Sequence, residues 1–319
     1  MKNSMKIIDL HCDTLLECWK HKDQGLKDGP TAINIEKLRE GGSLAQCFAM
    51  YLPWKSMNIG PYEILKGVYE TYKEQMELNK DAIRPALCVS DIEKNAADGM
   101  LSSILTIEDG AFLENKIERL DEAYEMGVRM IGLIWNHENC LAYPNNRDKA
   151  AHERGLKVFG MDVIERMNEL GMVIDCSHLN EGGFFDVAKL SKKPFMASHS
   201  CARALCDHPR NLSDEQLHML GEKGGVVGIN FYGAFLNESG DAASFDRIID
   251  HLKYMKDKAG TDAIALGSDF DGIDDNGELV DFTGYVPLMD KMSKHFSDDE
   301  IEKISHLNAM RVFRENIGR

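Results

Sequence analysis

Three histidines and three acids stand at the ends of short apolar runs spread along the chain. They are His11 and Asp13 in "IIDLHCDTLL", Glu108 in "ILTIEDG", His178 in "VIDCSH", His199 in "FMASHS" and Asp269 in "IALGSDFDG". Imidazole nitrogens mixed with carboxylate oxygens form the donor set that Zn²⁺ and other first-row divalent ions take. One such residue alone reads more simply as a satisfied polar group at a strand end. Agreement among five separate runs is what turns the group into a metal site.

The count refines this reading. Five ligands, His11, Asp13, Glu108, His178 and His199, exceed what one tetrahedral zinc requires, and Asp269 remains as a free acid. A carboxylate can turn one oxygen to each of two ions, whereas an imidazole cannot. A shared carboxylate and a bridging water would therefore let the set hold two ions about 3.5–4 Å apart. Asp13 and Glu108 are both candidates for that bridge.

Such residues have to be brought together by the elements that carry them. Eight β-branched, apolar runs read as strands: Lys6–Asp13, Ser43–Leu52, Ser103–Glu108, Arg129–Trp135, Met172–His178, Pro194–His199, Gly225–Phe231 and Ala263–Asp269. Helical patterns lie between them, as in "GLKVFGMDVIERMNELG", where Leu156, Phe159, Val163, Met167 and Leu170 recur at helical spacing. Capping boxes at Ser90-x-x-Glu93, Ser213-x-x-Gln216 and Ser297-x-x-Glu300 mark helix starts. Eight βα units predict an α/β chain closed as a (β/α)8 TIM barrel, one catalytic domain over residues 1–319, with a doubly wound open sheet as the alternative. In such a barrel the strand ends meet at the C-terminal rim, where His11 and Asp13, two apart, share one face.

Composition sets outer limits. The 319 residues are 43% hydrophobic and 28% charged, which suits an ordinary globular core. With 37 basic and 53 acidic residues the net charge is -16, a field that repels phosphate backbones and anionic lipid, so neither nucleic acid nor membrane is an expected partner. "MKNSMK" has no apolar leader region, and eight cysteines without a C-x-x-C pair read as reduced thiols of a cytoplasmic protein. "DFDGIDDNGE" misses the spacing of a calcium loop, because Ile273 falls where a ligand belongs. His21, His152, His208, His218, His251, His295 and His306 read as surface residues. The aromatic stretch from Tyr51 to Asn79 reads either as a wall of the barrel mouth or as plain core packing.

"IDLHCDT", "LTIEDG", "VIDCSH", "ASHSCARALCDHPRNLSDEQL" and "GSDFDG", in this order and over nearly the whole chain, resemble the membrane (renal) dipeptidases and their bacterial relatives in the metal-dependent amidohydrolase superfamily. The resemblance implies a zinc metallopeptidase that hydrolyses small dipeptides, those with a C-terminal D-residue among the substrates to consider. It further implies two Zn²⁺ ions per chain, His11 and Asp13 on one and His178 and His199 on the other. Glu108 and a water or hydroxide would bridge them, and that hydroxide would attack the peptide bond. Asp269 matches the acid that moves the proton and contacts substrate. Arg210, which alone reads as a solvated surface charge, matches the arginine that holds the substrate's carboxylate. At the fourth strand the family's animal members carry a substrate-contacting histidine. Here "LIWNHEN" aligns Trp135 with it, a candidate pocket residue, while His137 lies two residues on and could substitute. The oligomeric state stays open, a homodimer being one option the family offers. Two other readings stand beside this one: another amidohydrolase (a deaminase or cyclic-amide hydrolase) on the same barrel, and a non-catalytic metal-binding scaffold.

Overall fold

The computed structural model describes residues 5–318. Among the described residues nine strands form a single parallel sheet. They are β1 (Ile7–Asp9), β2 (Ser43–Tyr51), β3 (Ile83–Pro85), β4 (Leu101–Glu108), β5 (Val128–Gly132), β6 (Val173–Asp175), β7 (Met196–Ser200), β8 (Val226–Ile229) and β9 (Ile264–Leu266). Eight of them close in the order β1-β2-β4-β5-β6-β7-β8-β9, through the β2–β4 and β1–β9 pairings. This is the (β/α)8 barrel that the alternation predicts. β3 has no counterpart among the expected strands. It pairs with residues 101–103 of β4, below the stretch that β5 takes from Leu105 onward, so it extends one edge without entering the ring.

The eight expected strands are all present; seven are shorter than expected, while β4 begins two residues earlier, at Leu101. His11, Asp13, His178 and Asp269 lie past the last paired residue of their strands. Three residues past the ends of β6 and β9, His178 and Asp269 adopt φ of 66° and 67°, in the left-handed region, which turns the chain over the rim.

One residue from nearly every strand enters a common interior layer: Ile8, Cys47, Ile104, Met130, Val173, Met196, Val226 and Ala265. Ala309, Met310, Val312 and Phe313, on the helix Asn308–Ile317, join the same cluster and close the barrel beneath it. Two residues further along β4 to β9 the side chains again point inward. That layer is small or polar, with Thr106, Gly132, Asp175, Ser198, Gly228 and Gly267. A Cβ on Gly228 or Gly267 would overlap the carbonyl oxygen of Ser198, so these glycines let β7, β8 and β9 approach closely.

Helices cover the outside. Val158–Leu170 buries Val163, Ile164 and Met167 and ends on Gly171 at φ 75°. The capping boxes at Ser213 and Ser297 form as expected. The helix Val89–Ala97 starts two residues before the predicted box: Cys88 is its cap, and the Asp91 carboxylate reaches back to the Cys88 N–H at 3.2 Å. His251 and His152 are also buried, contrary to the surface reading. His251 is a satisfied core residue, accepting from the Ala202 N–H and donating to the Leu236 carbonyl. The stretch after β2 divides: Tyr51 and Trp54 lie at the mouth, while Pro61–Leu78 turns Ile64, Leu65, Val68 and Tyr72 into the core. Among the described residues no helix is long and apolar enough to cross a membrane.

Gly267→Ala tests the close-packed layer. The added methyl meets backbone that cannot swing aside, so metal-free protein should lose about 1–3 kcal/mol of stability, read by urea denaturation.

Candidate metal centre

The barrel brings His11, Asp13, Glu108, His178, His199 and Asp269 into one buried cup at the C-terminal rim, each 9% exposed or less. Glu108, the last residue of β4, stands in the middle. Its Oε2 lies 3.5 Å from His11 Nε2, and its Oε1 lies 3.0 Å from His178 Nε2 and 3.5 Å from His199 Nε2. On the far side, His11 Nε2 is 3.5 Å from Asp13 Oδ2 and 3.7 Å from Asp269 Oδ1. The His11 and His199 rings stack at 3.8 Å.

The contacts around this cup do not satisfy its own donors and acceptors. His11 Nε2 and Asp13 Oδ1 are buried without a hydrogen-bond partner, a costly state for polar atoms. His178 Nε2 and His199 Nε2 face each other at 3.0 Å. Burial first, then the positive charges of Arg210 and His11, hold both rings well below the ordinary histidine range, so both are neutral. Two ligands on a tetrahedral ion at about 2.0–2.1 Å stand about 3.3 Å apart, close to this spacing. Two triads of ligand atoms lie within 4.8 Å of one another, His11–Glu108–His199 and His11–Asp13–Asp269. The donor set thus fits divalent ions. Asp269 stands within ligand reach, a position that the division into ligands and proton carrier does not by itself require.

Charge in the cup is unbalanced without cations. Burial opposes a proton on His11, but the Glu108 and Asp13 carboxylates outweigh it and hold the ring well above its usual value. Burial raises Glu108 to about 7 and Asp269 to about 6, against the pull of His11, with Asp13 raising both further.

Arg210 is 4% exposed rather than solvated. Its guanidinium donates to Ser200 Oγ and to the His199 carbonyl, both at 2.6 Å, and its Nε has no partner. Trp135 is half-buried at the mouth, its ring 4.9 Å from Tyr51 and 6.3 Å from His178. His137 packs against Trp135 and Trp54, at 5.6 and 6.5 Å, further from the cup.

The family model of the membrane dipeptidases, peptidase family M19, matches residues 1–318. The chain belongs to this family. It is accordingly a hydrolytic enzyme of a metallodipeptidase family. An uncharacterised dipeptidase of Schizosaccharomyces pombe is 30% identical over 298 residues, 88% of this chain and 71% of its own. A solved metallopeptidase of family M19, dipeptidase AC, superposes with a TM-score of 0.92 at 25% identity, over 99% of this chain and 100% of its own. A Rhodobacter sphaeroides metallopeptidase, solved with a phosphinate mimic of the dipeptide L-Ala-D-Ala, superposes at 0.90 and 24% identity, over 98% and 100%.

The dipeptidase cup also depends on residues that the strand-end reading passes over. Asn136 Oδ1 accepts from His178 Nδ1 at 3.0 Å, which leaves the Nε2 lone pair turned inward. Asn230 Nδ2 donates to Asp269 Oδ2 at 2.9 Å. Asp109, at φ 85°, accepts from Trp54 Nε1, Asn139 Nδ2 and the Ala111 N–H, tying three rim loops beside Glu108. A Cβ on Gly272 would overlap Asp13 Oδ2 and press on Asp269 Oδ1. Asn136 follows Trp135 and Gly272 closes "SDFDG", but amides and glycines carry no periodic signal of their own.

The charge balance makes a testable statement. Ions must displace the proton on His11 and the one that Glu108 keeps up to about 7. Metal uptake near pH 6.5 should therefore release about one to two protons per chain, and affinity should fall as pH drops from 7 to 5. Calorimetry in buffers of different ionisation enthalpy counts them; uptake without proton release would mean that the metal-free cup is already deprotonated.

Proposed function

We propose that this chain is a two-zinc dipeptidase, with His11 and Asp13 on one ion, His178 and His199 on the other, and Glu108 shared. The observation that carries this is the placement of Glu108, whose two oxygens face two different sets of ligand atoms. Bound divalent ions would polarise the scissile carbonyl and make a water acidic enough to serve as nucleophile near neutral pH. The remaining work falls to side chains. Asp269 has one oxygen tethered to Asn230 and the other facing the cup, so Oδ1 is free to take a proton and return it to the leaving amine. Its carboxyl, pushed up to about 6, is poised for that exchange, and cations beside it would bring it lower.

Arg210 binds the free carboxylate of the substrate in this reading. It is anchored on β7 beside His199, and its unpartnered Nε leaves a donor for a ligand. A clamp on the terminal carboxylate favours dipeptides over longer chains and distinguishes this activity from cyclic-amide hydrolysis or deamination, neither of which needs it. Trp135 and Tyr51 would form an aromatic wall for a side chain of the substrate. The eight cysteines are all unpaired, which supports placement in a reducing compartment such as the cytoplasm.

A dipeptide panel with zinc-loaded enzyme is the direct assay, and L-Ala-D-Ala against L-Ala-L-Ala is the first pair to compare. Arg210→Ala should lower kcat/KM for free dipeptides by about 10- to 100-fold, the scale of a lost charge-assisted contact. Amidating the substrate's C-terminus should cost the wild type a similar factor and the variant far less. Equal losses in both enzymes would assign Arg210 to holding β7 alone.

Asp269→Asn preserves size while removing the basic oxygen. If Asp269 moves the proton, kcat should fall about 10²–10⁴-fold with metal content unchanged. The wild-type carboxylate works when ionised, so activity should decline on the acid side with a midpoint at or below about 6, and the variant should lack that limb. Loss of metal together with activity would make Asp269 a ligand instead.

A further inference from the structure

A neutral imidazole carries one N–H, and only its other nitrogen can hold an ion. For His199 to present Nε2 to the cup, its proton must sit on Nδ1. Ser198 Oγ lies 2.7 Å from that nitrogen, so whether this hydroxyl gives or accepts decides the tautomer.

The hydrogen of Ser198 has two other acceptors within reach, Asp175 Oδ2 at 2.5 Å and Ser177 Oγ at 3.2 Å. Ser177 Oγ already accepts the His199 backbone N–H at 3.1 Å and has a hydrogen of its own to give to Ser198. A carboxylate is the stronger acceptor. The Ser198 hydrogen therefore goes to Asp175, and Ser198 Oγ can only accept from the ring. Asp175 itself cannot swing, because its Oδ1 accepts the backbone N–H groups of Ser177 and Ser198 at 2.9 and 2.8 Å. Asp175 and Ser198 are both buried inside the barrel, directly beneath the cup.

We propose that Asp175 and Ser198 are positioning residues that set the tautomer of His199: the Asp175–Ser198 pair draws the ring proton to Nδ1 and leaves the Nε2 lone pair facing the metal site. The proposal rests on the reading of His199 as a metal ligand.

The barrel contains the same bracket in a simpler form. Asp9 Oδ1 accepts the Ser268 N–H at 2.9 Å and its Oδ2 accepts the Ser268 hydroxyl at 2.6 Å, strapping β1 to β9. The residue after Ser268 is Asp269, so no ring is there to orient. The aspartate–serine bracket is thus a strap between neighbouring strands, and between β6 and β7 it has gained a second task through the imidazole beside it.

Two substitutions with opposite effects on the hydroxyl test this. Ser198→Ala removes the acceptor and leaves His199 free to adopt either tautomer. Asp175→Asn keeps an oxygen for the two backbone N–H groups, but its amide nitrogen now donates to Ser198. That turns the hydroxyl hydrogen toward Nδ1 and drives the ring proton onto Nε2. Nitrogen-15 NMR of the metal-free protein should show His199 protonated at Nδ1 in the wild type, mixed in Ser198→Ala and reversed in Asp175→Asn. Zinc affinity, measured by chelator competition, should follow the order wild type, Ser198→Ala, Asp175→Asn. Losses from such outer partners are typically about 10–100-fold. The double variant should return to the Ser198→Ala level, because no hydroxyl remains to be turned; a merely structural Asp175 would make it worse than either.

A wild-type ring protonated at Nε2, or an Asp175→Asn protein that binds zinc as well as Ser198→Ala, overturns the proposal. Should Asp175→Asn fail to fold, the spectra of the wild type and Ser198→Ala still decide it. A wild type that binds no zinc would sink the metal-centre reading alone, since the tautomer is measured without metal.

Discussion

Glu108 is surrounded, at the end of a fully buried strand, by nitrogen atoms on both sides and by two further carboxylates. The contacts among these groups leave His11 Nε2 and Asp13 Oδ1 without a hydrogen-bond partner. Burying several ionisable groups without compensation is among the costliest things a fold can do. The cup is therefore shaped for positive charge from outside the chain, and its surroundings keep it from relaxing. Asn136 and Ser198 fix two rings from behind, Asn230 fixes one carboxylate, and Asp109 ties the loops that stand over them.

Four of the eight non-glycine residues with positive φ among the described residues lie at the same place. His178, Asp269, Asp109 and Asp271 all have positive φ, a conformation that costs non-glycine residues on the order of 1–3 kcal/mol each when held against preference. These positions persist because the surroundings over-determine them: Asp271, for instance, accepts from the Thr14 hydroxyl and the Ala32 N–H. The strain does geometric work. It bends the chain one residue past the end of β4, at Asp109, and three residues past the ends of β6 and β9, at His178 and Asp269, where the chain turns over the barrel mouth.

Much of this was legible in the sequence, for physical reasons. Parallel strands buried on both faces are written as short β-branched runs, and all eight barrel strands could be placed from them. The site acids and histidines stood out because five separate runs end in a metal-ligating type, although any one of them alone reads as a satisfied polar group. What escaped was whatever depends on another part of the chain. β3 exists only because β4 leaves a free edge below β5. The burial of His251 and Arg210 depends on backbone groups contributed by Ala202, Leu236 and His199. The helix at Val89 begins at Cys88 because the Asp91 carboxylate, not that of Glu93, reaches back to its N–H. Asn136, Ser198 and Gly272 look like loop and strand residues of no special kind until their neighbours in space are known.

The helix Asn308–Ile317 plugs the barrel from below with Met310 and Phe313, and the interior layer above it is packed with aliphatic side chains. Among the described residues the barrel is thus filled below the cup, and the cup opens at the rim, where Trp135, Tyr51 and Trp54 stand. In the two-zinc reading, ion, peptide and product would all pass that opening. If the cup holds ions as proposed, a seated peptide would bar their exit, so the enzyme would be assembled ion first and peptide second, and ions would exchange in the intervals between turnovers.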